Sequence, residues 1–138
     1  MSADLPVFEF AFPGPLRDQL VAAVLDGTKT STTALLQDYE LEEEPLPIVG
    51  ARAAVIDSAG RRVAVIELTE VRISRLGDVD VEHARDEGEG DDSVAAWRAG
   101  HERFWHGPDY RSWLRIPDFT VNDDTPVVLQ RFRLVAAL

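Results

Sequence analysis

Two runs rich in β-branched residues, Arg52 to Asp57 and Arg61 to Ser74, stand either side of Ser58-Ala59-Gly60, and no other feature constrains the fold as much. Such residues favour strands, and a short glycine-bearing connection between two of them makes an antiparallel hairpin. The second run alternates, with Val63, Val65, Glu67, Thr69 and Val71 on one side and Ala64, Ile66, Leu68 and Glu70 on the other. A period of two places these sets on opposite faces of a sheet, and the polar ends suit the rim of a barrel.

Helices interrupt the remaining strands. Val7 to Phe12 reads as a strand ended by Pro13-Gly14-Pro15. Pro15 to Asp26 reads as a helix, with proline at its first position and Leu16, Leu20, Ala23 and Val24 at three- and four-residue spacing. Gly27 is the expected stop, which leaves Thr28 to Thr33 as a hydroxyl-rich loop and Thr33 to Gln37 as the start of a second short helix. Glu40 to Pro47 has the composition of a solvated loop. Asp80 to Glu87 reads as a short helix, broken by Gly88-Glu89-Gly90-Asp91. A longer helix then runs to about His106, with Val94, Trp97, His101, Phe104 and Trp105 as a stripe. Gly107 to Asp118 is expected to be irregular, and Pro126 to Ala136 to be the closing strand. The pattern lacks regular βαβ alternation, so it predicts an α+β domain, a small, partly closed β-barrel decorated by helices. Residues 1–138 make one domain, long enough to bury a core unaided.

Charge narrows the partners. The chain carries 25 acidic and 14 basic residues, a net charge of −11, which is a poor surface for coating duplex DNA. A local site for a nucleic acid survives this, because salt limits the reach of exposed charge to about 8–10 Å. Cysteine is absent, the N-terminus lacks a secretory pattern, and no apolar stretch approaches the roughly 20 residues that span a bilayer, so a cytoplasmic protein without membrane partners is expected.

Lys29 is the only lysine; every other basic residue is arginine. Arginine stays protonated at any working pH, whereas burial can neutralise lysine, so a lone lysine among Thr28, Thr30, Ser31, Thr32 and Thr33 has the parts of a hydroxyl nucleophile and its base. The helix end before it opposes this by favouring the ammonium, which suits a phosphate contact. Glu87 lies beside two glycines, where a carboxylate can approach a ligand closely. Trp97 and Phe104 read first as core, and His101 as core or cleft. Three histidines without cysteine make a weak zinc set, so no cofactor is expected, with a divalent metal left open at the acidic turn.

These blocks together resemble the ASCH domains, a branch of the PUA-like fold found in bacterial RNA-associated proteins. The likeness runs from Phe10 to Val135. It rests on Leu25-Asp26-Gly27-Thr28-Lys29-Thr30, on Gly50 before the first barrel strand, on Glu87-Gly88-Glu89-Gly90-Asp91 followed by Trp97-Arg98 and His101, and on Arg131-Phe132. The resemblance implies a barrel around a cleft that takes single-stranded RNA or a modified nucleoside. Some members are ribonucleases. Others remove the acetyl group from acetylated cytidine with a lysine, a threonine three residues on and a later glutamate, which fall here on Lys29, Thr32 and Glu87. The first expectation is therefore single-strand binding or cleavage around Lys29. The alternatives are amide hydrolysis by Lys29, Thr32 and Glu87, or a non-catalytic reader. Thr30, Ser31, Glu89, Asp91, Trp97, Arg98 and His101 are the expected substrate contacts. The long acidic loop, the Gly88–Asp91 turn and the Trp97–Trp105 helix depart from the short hydrolase members.

Overall fold

The computed structural model describes residues 4–138. Its elements are β1 (Val7–Phe8), α1 (Pro15–Asp26), β2 (Ser31–Leu35), α2 (Leu36–Leu41), β3 (Arg52–Ile56), β4 (Arg62–Arg75), α3 (Val81–Asp86), α4 (Val94–Trp105), α5 (Pro108–Leu114) and β5 (Pro126–Ala137), with a short 3-10 turn at Leu76–Asp78. The five strands form one mixed sheet in the order β1-β3-β4-β5-β2. Pairing does not close the sheet, so the fold is α+β as expected, but the ladder does not establish the barrel.

The β3–β4 hairpin forms as the sequence requires, and β4 then pairs along its length with β5. Register shifts at Val65/Ile66 and Leu68/Glu70 bend this long pair. Two cores result. Phe10, Leu20, Val21 and Val24 pack on Val55, Ile66 and Phe132, while Leu35, Trp97, Trp105 and Tyr110 pack on Val127 and Leu129. Strand β5 serves both because alternate residues point to opposite faces.

Four local expectations need correcting. Ser31 to Thr33 belong to a strand rather than a loop, because their backbone pairs with β5 and β-branched side chains suit that surface. The next helix consequently begins at Leu36, not Thr33. Residues 108–114 form α5, with Pro108 at its first turn and Tyr110 buried, where the composition predicts an irregular stretch. The first strand is also shorter than Val7 to Phe12, because only Val7 and Phe8 pair, with β3. Among the described residues no helix is long and apolar enough to cross a membrane.

Candidate functional site

Two chain reversals bring Lys29 and Glu87 together. Helix α1 ends at Gly27, in the left-handed conformation, and the Lys29 amide then donates to Ala23 O at 3.1 Å. The second reversal follows α3, whose cap Asp80 accepts from the His83 amide. Its key residue is Gly88. A Cβ there would lie 2.6 Å from Thr28 O and 2.8 Å from Lys29 Cα, and φ is +74°. Only glycine lets the turn after Glu87 press against the Lys29 backbone.

Both charges are buried, with 2% and 1% of Lys29 and Glu87 exposed. Lys29 Nζ donates to Ser31 O at 2.8 Å and Glu87 O at 3.3 Å, and stands 3.7 Å from Glu87 Oε1. It also lies 5.4 Å from the Phe10 ring centroid, within cation–π range. Two carbonyls and a carboxylate around one nitrogen suit an ammonium.

Glu87 is the hub. Its Oε2 accepts from Thr33 Oγ1 at 2.6 Å and Trp97 Nε1 at 2.9 Å, while Oε1 lies 3.1 Å from His101 Nε2. Burial would raise this carboxyl, but the His101 and Lys29 charges and the hydrogen bonds to His101 and His83 hold it well below its usual range. Burial likewise opposes charge on His101, yet Glu87 carries its pKa above the ordinary histidine value. The imidazole geometry agrees. Nδ1 faces Trp97 O, which can only accept, and Nε2 faces an ionised carboxylate, so both nitrogens carry hydrogen. Since Thr33 gives its one hydrogen to Glu87, its oxygen accepts from His83 Nε2 at 2.8 Å.

A cavity of about 730 Å³ opens beside this network, within the roughly 300–1,000 Å³ range of ligand pockets. Lys29, Thr32, Glu87, Glu89, Asp91 and His101 all line it. Because β2 is an edge strand, the cavity reaches both of its faces and touches Thr33 as well as Thr32. Thr32 makes no hydrogen bond to Lys29; the hydroxyl that reaches Glu87 is that of Thr33.

Four expected contacts do not line the cavity. Thr30 binds the end of α3 through Asp86 O, and Ser31 Oγ donates to His83 O at 2.9 Å. Trp97 is fully buried behind Glu87, and Arg98 pairs with Glu102 and Asp123 on the outer side of α4. Each of these four braces an element that carries a lining residue.

The rest of the wall comes from unexpected places. Asp38, Tyr39, Glu42 and Glu44, the last two from the stretch expected to be solvated, line the cavity with Glu9, Phe8, Phe10 and Gln130. Burial raises the Asp38 carboxyl to about 6, against the opposing hydrogen bond from Tyr110. Burial raises Glu89 also. Glu87, Glu89 and His101 are the described residues that bring one ligand atom each within 4.8 Å of the others, so they are the set that would hold a cation. In this arrangement His101 and Lys29 already supply the positive charge beside Glu87.

The ASCH domain family model matches residues 9–136. Among solved structures, protein EF3133 from Enterococcus faecalis V583 is 27% identical with a TM-score of 0.80, over 94% of this chain and 76% of that one. The ASCH domain from Lactobacillus crispatus JV V101 has the same identity and score, over 94% of this chain and 79% of its own. A tyrosine-to-phenylalanine mutant of ZmASCH from Zymomonas mobilis is 11% identical with a TM-score of 0.53, over 96% of this chain and 73% of that one, a likeness of fold alone. No curated protein matches the sequence.

Proposed function

This chain belongs to the ASCH domain family, and we propose that it acts on a nucleoside lodged in the cavity, hydrolysing an acyl amide on the base, rather than on an RNA backbone. One observation carries the choice: the lining holds Glu9, Asp38, Glu42, Glu44, Glu89 and Asp91 besides Glu87, against the cationic side chains Lys29, His101 and Arg103. Lys29 is itself engaged by Glu87 and two carbonyls. Such a wall repels phosphates and leaves no free lysine to stabilise a phosphorane, which weighs against backbone cleavage. A neutral base and ribose suffer no such repulsion.

On this reading Thr32 Oγ1 adds to the acyl carbonyl. Lys29 acts in its neutral form, its proton released through the cavity as the ligand enters, while Glu87 stays ionised beside His101 and holds Nζ in place. Neutral Nζ then takes the Thr32 hydrogen and delivers it to the departing exocyclic nitrogen. The C–N bond breaks, the acyl group stays on Thr32, and water releases it as a carboxylic acid. His101 and Thr33 hold Glu87 in place throughout.

The test sets acetylated cytidine beside a single-stranded RNA oligomer, with wild type, Lys29→Arg, Thr32→Ala and Thr33→Ala. Wild type is expected to release cytidine and acetate and to leave the oligomer intact. Arginine cannot become neutral, so Lys29→Arg should lose at least about 100-fold in rate, as should Thr32→Ala. RNA cleavage with the nucleoside untouched would restore the ribonuclease reading. Tight nucleoside binding without turnover in wild type would make the protein a reader.

A further inference from the structure

We infer that Gln130 is the specificity residue of this cavity, its side-chain carbonyl accepting a hydrogen bond from an N–H of the bound base. The ligand class is then a nucleoside with an amino or acylamino group, as opposed to a keto group, at that edge. The inference rests on the nucleoside reading above and narrows it.

Gln130 is 1% exposed and lines the cavity. Its Nε2 donates to the Tyr39 hydroxyl at 3.0 Å. Its Oε1 is the one buried side-chain polar atom without a partner among the described residues. Buried acceptors are rarely left so, because an unmade hydrogen bond forfeits the full cost of desolvation. Gln130 lines the cavity while Oε1 itself is covered, so a turn of the side-chain amide brings the orphaned acceptor to whatever fills the cavity, and only a donor completes it. A keto oxygen in the same place would set two acceptors against each other.

Register adds a second, independent argument. Gln130 pairs directly with Thr32 across the antiparallel β2–β5 ladder. Side chains so opposed share a face, with Cβ atoms about 4.5–5.5 Å apart. The orphaned acceptor is thus the cross-strand neighbour of the proposed nucleophile. An acylated exocyclic amine keeps one N–H on the nitrogen whose bond is to break, and that N–H is adjacent to the carbonyl under attack. Gln130 therefore holds the leaving nitrogen while Thr32 meets the carbon. Tyr39 acts as a positioning residue: its hydroxyl accepts from Nε2 and anchors that end of the amide, which leaves Oε1 unpartnered.

Titration of the full chain with cytidine and with uridine tests this without any turnover. Wild type is expected to bind cytidine at least about 10-fold more tightly, a difference of about 1.4 kcal/mol. Gln130→Met should remove that preference, weakening cytidine about 10-fold and uridine less than about 3-fold. Tyr39→Phe should reduce the preference while leaving the protein cooperatively folded. Equal binding, a preference for uridine, equal loss of both ligands in Gln130→Met, or binding of neither would overturn the assignment. The two readings fail separately. Hydrolysis of acetylated cytidine with no cytidine preference would sink Gln130 alone, whereas a Gln130-dependent preference without hydrolysis would sink only the chemistry.

Discussion

The floor of the cavity and its rim handle charge in opposite ways. At the floor, Lys29 and Glu87 are buried, His101 is mostly covered, and each faces an opposite charge. At the rim, Glu9, Asp38, Glu42 and Glu44 bring four carboxylates together, of which Glu9 pairs with Arg17. The Glu42 carboxyl is raised by burial and then by Glu44. A compensated buried cluster costs its desolvation and returns fixed geometry. An excess of one sign at the rim gives up stability for a selective field, here one that turns away anions. The floor is built to be held still and the rim to choose.

Breaking the floor should have the largest effect. Glu87→Gln leaves the buried Lys29 and the partly covered His101 beside a neutral amide and should cost about 3–5 kcal/mol in urea unfolding. A loss below about 1 kcal/mol would mean that the pair is not holding the fold. Gly88→Ala attacks the same contact through the backbone. The new Cβ meets Thr28 and Lys29 at under 3 Å in a left-handed conformation, and the cost should be about 2–4 kcal/mol. Wild-type stability there would mean that the turn can move away from Lys29.

A smaller effect concerns pH. The folded His101 has a raised pKa, so its contribution is complete below the unfolded histidine value, about 6.5, and is lost as pH rises through the higher folded value. His101→Gln should therefore flatten the alkaline side of the stability curve. An unchanged slope there would argue that His101 is neutral when folded.

The rim should barely register in stability. Glu42→Gln with Glu44→Gln should shift unfolding by no more than about 0.5 kcal/mol, yet tighten binding of a nucleoside monophosphate relative to the nucleoside. If the monophosphate is unaffected, the rim does not select by charge.

Much of this arrangement is legible in the sequence. The hairpin, α1 with its glycine stop, and the pairing of Lys29 with Glu87 each have a local or motif-level signature. The β2 strand has none, because Thr and Ser serve caps and turns as readily as strands, and only the distant β5 decides between them. For the same reason Thr33 reads as loop, although alternation from buried Ser31 to buried Leu35 places it on their face. Gln130 lies in an apolar strand with nothing nearby to mark it, and Glu42 and Glu44 read as part of a solvated loop because no local pattern shows that they border a cavity.

Strand β2 carries a final consequence. Ser31 pairs with Arg131, Thr32 with Gln130 and Thr33 with Leu129. A slip of one residue would exchange the faces of Thr32 and Thr33, sending the Glu87-bound hydroxyl to the side of Gln130 and the other toward α3. Under the proposed chemistry, the number of residues between the Gly27 stop and buried Leu35 sets which hydroxyl does which job. One residue inserted between Thr28 and Thr30, or the loss of Thr30, would rewire the site while leaving Lys29, Thr32, Thr33 and Glu87 in the protein.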